Sequence, residues 1–80
     1  MRLARDLSGE DLAISLTRLD YRVTRQTGSH LRLTTERDGE HHITIPRHST
    51  LQVGTLSAII SVLAQHHQLD RDAMLTLLCS

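Results

Sequence analysis

The sequence predicts an α+β domain in which helices pack on one face of a three-stranded antiparallel sheet and a further short helix follows at the C-terminal end. Three observations predict this fold. Apolar residues recur at helical spacing near both ends, they alternate with polar residues in the middle, and glycine-containing turns separate the alternating segments. The predicted order is α-β-β-β-α plus the extra helix, and 80 residues leave room for one domain, 1–80.

The first helix is predicted over about residues 9–19. Ser8 and Asp11 have the spacing of a capping box, in which each residue bonds the backbone of the other. Leucines then recur at i, i+4 and i+7, at Leu12, Leu16 and Leu19. This spacing places the three side chains on one face of an amphipathic helix.

From residue 21 onward the period changes from that of a helix to that of strands. The apolar members of the three alternating segments are Tyr21 and Val23, Leu31 and Leu33, and Ile43 and Ile45. The turn Thr27-Gly28-Ser29 separates the first two strands, Asp38-Gly39 is a hairpin signal before the third, and Pro46 ends it. The middle of the chain is therefore predicted to be an antiparallel meander.

Two helices are predicted after the sheet. Thr55 is expected to cap the first, which carries Leu56, Ile59, Ile60 and Leu63 at helical spacing. Asp70 is expected to cap the last, short helix, which carries Ala73, Met74, Leu77 and Leu78.

Strand alternation predicts which sheet face is available for function. The apolar strand residues are expected to pack under the helices. The opposite face would then carry Arg22, Thr24, His30, Arg32, Thr34, His42 and Thr44. That face is predicted to be polar, cationic and free of acids.

The charge distribution decides whether a nucleic-acid partner is plausible. The formal net charge is zero, which by itself argues against phosphate binding. Between Tyr21 and Thr35, however, the cations Arg22, Arg25, His30 and Arg32 occur with no acidic residue. A locally basic surface is therefore predicted on a neutral protein.

Aromatic content, the length of apolar runs and the cysteine count limit the class of protein. There is no Phe or Trp, so aliphatic side chains must build nearly all of the core. No apolar run approaches the roughly 20 residues that span a bilayer, and the first 19 residues are charged, so we expect a cytoplasmic protein without membrane contact. The lone Cys79 is expected to have no structural or chemical role.

Several short motifs occur in an order that resembles the HicA family of mRNA interferase toxins. They are Arg25, Gly28-Ser29-His30, Asp38-Gly39, Ile45-Pro46-Arg47-His48 and Gly54-Thr55-Leu56, and the resemblance runs from about Ser8 to Leu63. It implies a fold like that of double-stranded-RNA-binding domains. Two positions depart from the family pattern: Asp20 stands where a glycine is usual, and Leu31 occupies a place that is often polar.

The resemblance implies a catalytic role for His30, mRNA as substrate and a HicB-type antitoxin that covers the site. The chemistry also suits the residues themselves. RNA carries its own nucleophile in the 2′-hydroxyl, and an imidazole with an ordinary pKa of about 6.5 can move a proton at neutral pH. The predicted RNA-binding residues are Arg22, Arg25, Gly28, Ser29, Arg32, Arg47 and His48. No cofactor is expected.

For several of these residues, a purely structural role without RNA contact remains an open alternative. Gly28 and Ser29 suit an ordinary turn, Arg22 and Arg32 a solvated sheet face, and His48 a loop hydrogen bond. The same face would also suit a module that binds structured RNA or a protein without cleaving RNA.

Two other kinds of site were weighed and are not expected. Six histidines raise the question of a metal site, but His41 and His42 should point to opposite faces of their strand. Ser29 and His30 are not expected to form a nucleophile-base pair, because their side chains should diverge.

Overall fold

The computed structural model describes residues 7–47 and 50–78. Helix α1 (Gly9–Leu16) continues into a short 3-10 turn (Thr17–Leu19). Strands β1 (Arg22–Gln26), β2 (His30–Thr35) and β3 (His41–Pro46) follow, and then helices α2 (Val53–His67) and α3 (Arg71–Leu78). This is the predicted α+β order. The predictions for His48 and Cys79 fall outside the described residues.

The three strands form one antiparallel sheet in the order β1-β2-β3. Both connections are hairpins, as the sequence predicts. At the tip of the β2-β3 hairpin, Asp38 and Gly39 adopt φ angles of 60° and 99°. Asp and Gly tolerate this left-handed region better than most residues do, which is why the pair marks a tight hairpin turn.

The core lies between one face of the sheet and the helices. Its side chains come from every helix and from both sheet hairpins, and the most deeply buried are Leu12, Leu16, Leu19, Tyr21, Leu33, Ile45, Ile60, Leu63, Met74 and Leu78. The apolar residues that alternation assigns to the inner face of β2, together with Ile45, are buried as predicted. The helical layer therefore leaves the outer face of the sheet open.

Two residues depart from the predicted alternation. Val23 was expected under the helices but is 48% exposed; it lies on β1, an edge strand that has a neighbour on one side only. Thr34 was expected to be open on the outer face but is only 7% exposed. It lies in the central strand, where the hydroxyl of Thr24 and the ring of His42 cover it from both sides.

The start of α1 is tightly fixed. The predicted capping box is present: Ser8 Oγ accepts from the Asp11 backbone N–H, and the Asp11 carboxylate accepts from the Ser8 N–H. Gly9 packs so closely against the end of β3 that an added Cβ would lie 1.5 Å from the carbonyl oxygen of Pro46. Only glycine fits at this contact.

Asp20 shows why its position favours glycine. It ends the 3-10 turn with a φ of 62°, in the left-handed region. Asp is among the few non-glycine residues that adopt this conformation readily. The departure from the family pattern therefore preserves the turn that leads into β1.

Of the two caps predicted for the later helices, one is confirmed and one is wrong. Asp70 caps α3 as expected, since its carboxylate accepts from the Ala73 N–H at 2.7 Å. The prediction that Thr55 caps α2 is wrong: the cap position is Gln52, whose side chain makes no capping bond. Leu51 is tied to the backbone of Leu7 by a hydrogen bond of 2.8 Å, and this tertiary contact fixes where the chain turns into α2.

Candidate functional site

The outer face of the sheet carries an open groove of about 360 Å³. Its lining residues come from all three strands and from the β1-β2 turn: Arg25, Thr27, His30, Arg32, His42 and Thr44. Three of the predicted site residues, Arg25, His30 and Arg32, are thus brought together. None of the six lining residues is acidic, so the groove suits an anionic ligand.

A β-bulge places Arg25 in this groove. Val23 pairs with Leu33, but Arg25 pairs with Arg32, so β1 carries one extra residue, Thr24, between the two pairs. Without the bulge, Arg25 would lie opposite Leu31 and face the helices, because a one-residue shift moves a side chain to the other face. The bulge therefore sets two arginines opposite each other on the open face.

His30 is the first residue of β2 and its side chain is exposed to solvent. Its Nδ1 lies 3.0 Å from Ser29 Oγ, which contradicts the prediction that the two side chains diverge. Strand alternation does not apply to this pair, because Ser29 belongs to the turn. The contact engages Nδ1, and no hydrogen bond to Nε2 is found among the described residues.

The turn before His30 is open. The Thr27 N–H donates to the His30 carbonyl at 3.0 Å, which closes the hairpin. A Cβ added at Gly28 would meet nothing within 4 Å, and Gly28 does not use a left-handed φ. The space beside Gly28 is thus available to a ligand that approaches the backbone.

A chain of polar side chains crosses the sheet beside the groove. His42 Nδ1 lies 2.7 Å from Thr34 Oγ1, and this oxygen lies 2.9 Å from Thr24 Oγ1. The other ring nitrogen of His42, Nε2, lies 2.8 Å from Glu40 Oε2. Glu40 brings a carboxylate to the rim of a face that was predicted to be free of acids.

Two other predicted RNA-binding residues, Arg22 and Arg47, lie outside the groove. Arg22 is exposed at the start of β1. Arg47 Nε lies 3.3 Å from the carboxylate of Glu10, and the Arg47 carbonyl accepts from the Glu10 N–H at 3.1 Å. Arg47 thus joins the end of β3 to the start of α1, while His48 is outside the described residues.

A second histidine cluster lies away from the groove, between the β2-β3 hairpin and the end of α2. Tyr21 Oη lies 2.6 Å from His41 Nδ1 and 3.1 Å from His67 Nε2, and His67 Nδ1 lies 2.9 Å from the Asp38 carboxylate. His66 stacks on His41 with ring centroids 4.2 Å apart. His67 is buried in this cluster, with only 6% of its surface exposed.

This cluster shifts three pKa values. Burial raises the pKa of Tyr21 to about 12. Burial, and then the neighbouring His66, lowers the pKa of His41. The hydrogen bond from His67 lowers the pKa of Asp38. These shifts favour the neutral forms of Tyr21 and His41 and the ionised form of Asp38.

The described residues were also searched for metal ligands and membrane spans. Within residues 7–47 and 50–78, no group of three or more His, Cys, Asp or Glu side chains is arranged to hold a metal ion. His41 and His42 point to opposite faces, as predicted, since they bond Tyr21 and Thr34 respectively. No helix in this part of the chain is long and apolar enough to cross a membrane.

Comparison with protein families decides which proteins this chain is related to. The family described as the HicA toxin of bacterial toxin-antitoxin systems matches residues 9–72. The chain belongs to the HicA toxin family. The HicA match begins with the first residue of α1 and ends in α3, so it includes all three strands and the whole groove. Neither a curated protein nor a solved structure matches the chain significantly.

Sequence reasoning missed part of this HicA groove. Thr27 and Thr44 were not predicted as site residues, and His42 was placed on the outer face without a role. The alternation of polar and apolar residues does predict that His42 and Thr44 lie on the outer face of the sheet. No signal in the sequence marks the bulge at Thr24, so the position of Arg25 could not be derived from alternation.

Proposed function

We propose that this HicA toxin is a metal-independent endoribonuclease that cleaves mRNA with His30 as its catalytic residue. The observation that supports this most is the groove that His30 lines together with Arg25 and Arg32, with no acid among its lining residues. A phosphodiester requires both parts of this arrangement. The arginines neutralise its charge, and the imidazole moves a proton.

The proposed reaction uses the nucleophile that RNA carries. The 2′-hydroxyl oxygen attacks the adjacent phosphorus, and the bond from phosphorus to the 5′-oxygen of the next nucleotide breaks. The products are a 2′,3′-cyclic phosphate and a 5′-hydroxyl. One proton leaves the 2′-hydroxyl and one reaches the 5′-oxygen, and His30 Nε2 carries one of these two transfers while water exchanges the other.

The neighbours of His30 would assist in two ways. Ser29 Oγ, at 3.0 Å from Nδ1, holds the ring so that Nε2 points toward the groove. Arg25 and Arg32 would bind the phosphate oxygens and stabilise the extra negative charge of the phosphorane. Open space beside Gly28 would let the RNA backbone approach the turn. RNA contacts by Arg22, Arg47 and His48 stay predictions.

The partner that we propose is a HicB-type antitoxin. It would cover the groove with an acidic surface, because opposite charge favours association with a cationic site. An adjacent gene for a small protein with such a surface would support this part of the proposal.

The test is cleavage of labelled mRNA in excess EDTA. Wild-type protein is expected to yield fragments that end in a 2′,3′-cyclic phosphate. His30→Ala should lower the rate by about 100- to 10,000-fold, the usual contribution of one general acid or base. Its thermal unfolding should match the wild type, because the His30 side chain is exposed and its ring hydrogen-bonds only Ser29 among the described residues.

Two further variants test whether RNA binding depends on arginines in the groove or only on the total charge of the protein. Arg32→Ala should weaken RNA binding and lower the salt dependence by about one phosphate contact. Arg37→Ala removes the same charge at the hairpin, where Arg37 pairs with Asp20, and should leave cleavage unchanged. Full activity of His30→Ala would refute the assignment. Salt-sensitive binding without cleavage, indifferent to His30, would instead favour a non-catalytic RNA-binding module.

A further inference from the structure

We propose that His42 is a stacking platform for an unpaired nucleobase of the RNA, so that the groove accepts single-stranded rather than duplex RNA. This proposal rests on the proposed function and names the class of RNA that the same site takes. It is carried by the fixed position of the His42 ring in the groove and by the scarcity of other aromatic rings in the chain.

The composition leaves few side chains on which a base can stack. The sequence has no Phe and no Trp, and its one Tyr, Tyr21, is 2% exposed inside the core. Proteins that hold single strands place successive bases on aromatic rings or guanidinium planes. Among the described residues that line this groove, the only rings are those of His30 and His42, and the proposed chemistry reserves His30 for the phosphate.

The hydrogen bonds of His42 suit stacking rather than proton transfer. Both ring nitrogens are engaged, Nδ1 with Thr34 at 2.7 Å and Nε2 with Glu40 at 2.8 Å. Because a carboxylate only accepts, Nε2 must carry the hydrogen of the bond to Glu40. A proton transfer to RNA would have to break one of these bonds, whereas hydrogen bonds to ring nitrogens lie in the plane of the ring and do not use its faces.

The ring is also held rigidly before any ligand arrives. Thr34 is buried, and its hydroxyl is bonded to Thr24 as well as to His42, so the hydrogen bonds link the ring on β3 to β2 and, through β2, to β1. The His42 side chain remains 38% exposed. A platform that is already ordered binds a base with a smaller loss of side-chain entropy.

The spacing along the sheet separates the two rings. His42 pairs with Thr34, which lies four residues beyond His30 on β2. At about 3.3 Å per residue, the two positions are about 13 Å apart along the sheet. The base on His42 would therefore belong to a nucleotide that flanks the cleaved one, and Arg32 lies between the two positions. Duplex RNA cannot offer such a base, because its bases are stacked on one another.

The experiment measures binding with cleavage disabled. The probe is a short, fluorescein-labelled single strand of random sequence whose 2′-oxygens are methylated, which removes the nucleophile. A duplex of the same length and chemistry is the second probe. Fluorescence anisotropy gives the dissociation constant for the wild type and for His42→Ala, His42→Gln and His42→Phe, and thermal unfolding verifies that each variant is folded.

The expected pattern depends on the ring and not on its polarity. His42→Ala and His42→Gln should weaken binding of the single strand by about 5- to 100-fold. His42→Phe should bind within about 3-fold of the wild type, because the aromatic ring remains. Wild-type binding of the duplex should be weaker and should not depend on the ring.

Three results would overturn the proposal. They are wild-type affinity of the Ala and Gln variants for the single strand, a Phe variant as weak as Ala, and no measurable binding by wild-type protein. A parallel assay of unmodified RNA keeps the two proposals apart. Cleavage with ring-independent binding refutes the stacking role alone, whereas ring-dependent binding without cleavage refutes the nuclease alone.

Discussion

Gly9→Ala tests the closest backbone approach in the described structure. The new Cβ would lie 1.5 Å from the Pro46 carbonyl oxygen and 2.7 Å from its carbonyl carbon. Both atoms belong to the backbone, so a side-chain rotation cannot relieve the clash. To restore even 3.0 Å, the start of α1 and the end of β3 must separate by about 1.5 Å, the difference between those distances.

Three contributions set the size of the effect. Overpacking a tight contact costs about 1–3 kcal/mol. The separation also breaks the 3.1 Å hydrogen bond from the Glu10 N–H to the Arg47 carbonyl, which contributes about 0.5–1.5 kcal/mol. Alanine offsets up to about 1 kcal/mol through its higher helix propensity. The expected loss is near 2 kcal/mol, or a melting temperature lower by about 8 to 16 °C.

Far-UV circular dichroism during thermal and urea unfolding measures this loss, and Gly54→Ala is the matched control. Gly54 also lies in the first turn of a helix, but a Cβ there would meet nothing within 4 Å. Gly54→Ala should therefore raise stability by about 0.5–1 kcal/mol. If Gly9→Ala instead proves as stable as Gly54→Ala, the contact between α1 and β3 is not as described.

Two more predictions concern the histidine cluster. The free energy of unfolding should fall on both sides of neutral pH. Because the pKa of His41 is lowered in the folded chain, the unfolded chain binds more protons below the ordinary histidine pKa of 6.5, and acid destabilises the fold. Because the pKa of Tyr21 is raised to about 12, the folded chain keeps a proton that the unfolded chain loses above pH 10.0, and base destabilises the fold. Urea unfolding across the pH range measures this, and a free energy of unfolding that stays flat through 6.5 would contradict the first part. Tyr21→Phe keeps the ring but removes both hydroxyl hydrogen bonds, so it should cost about 1–3 kcal/mol while RNA cleavage is unchanged. An unaltered melting temperature in that variant would show that the buried hydroxyl contributes nothing.

The parts of the fold that local chemistry decides could be predicted from the sequence. The capping box at Ser8, the left-handed turn at Asp38 and the cap at Asp70 each depend on residues three or fewer positions apart. The alternation of β2 and β3 also predicted most of the open face, because one buried face fixes the register of a strand.

The features that were missed depend on distant contacts. The start of α2 is fixed by the bond between Leu51 and Leu7, which no local cap signal reveals. His67 is buried where it bonds both Asp38 at the hairpin tip and Tyr21 in the core, and both partners are distant in the sequence. Arg25 lies on the outer face of the sheet because of the bulge in β1, and no glycine or other turn residue in β1 indicates that bulge.

The candidate site was therefore only partly predictable. The order of the motifs pointed to His30 and its turn. The family match confirms that the chain belongs to the HicA toxin family, which the motifs resemble. The arrangement of Arg25, Arg32 and His42 around that residue required the structure.

The bulge in β1 also links the stability of the protein to its ligand. Arg25 and Arg32 stand directly opposite each other, and like charges at paired positions weaken a sheet. An anion between them removes that repulsion, so occupation of the groove and folding of the edge strand favour each other by mass action. The form without an anion is then the less stable one, so an anion that binds between the two arginines would raise the free energy of unfolding.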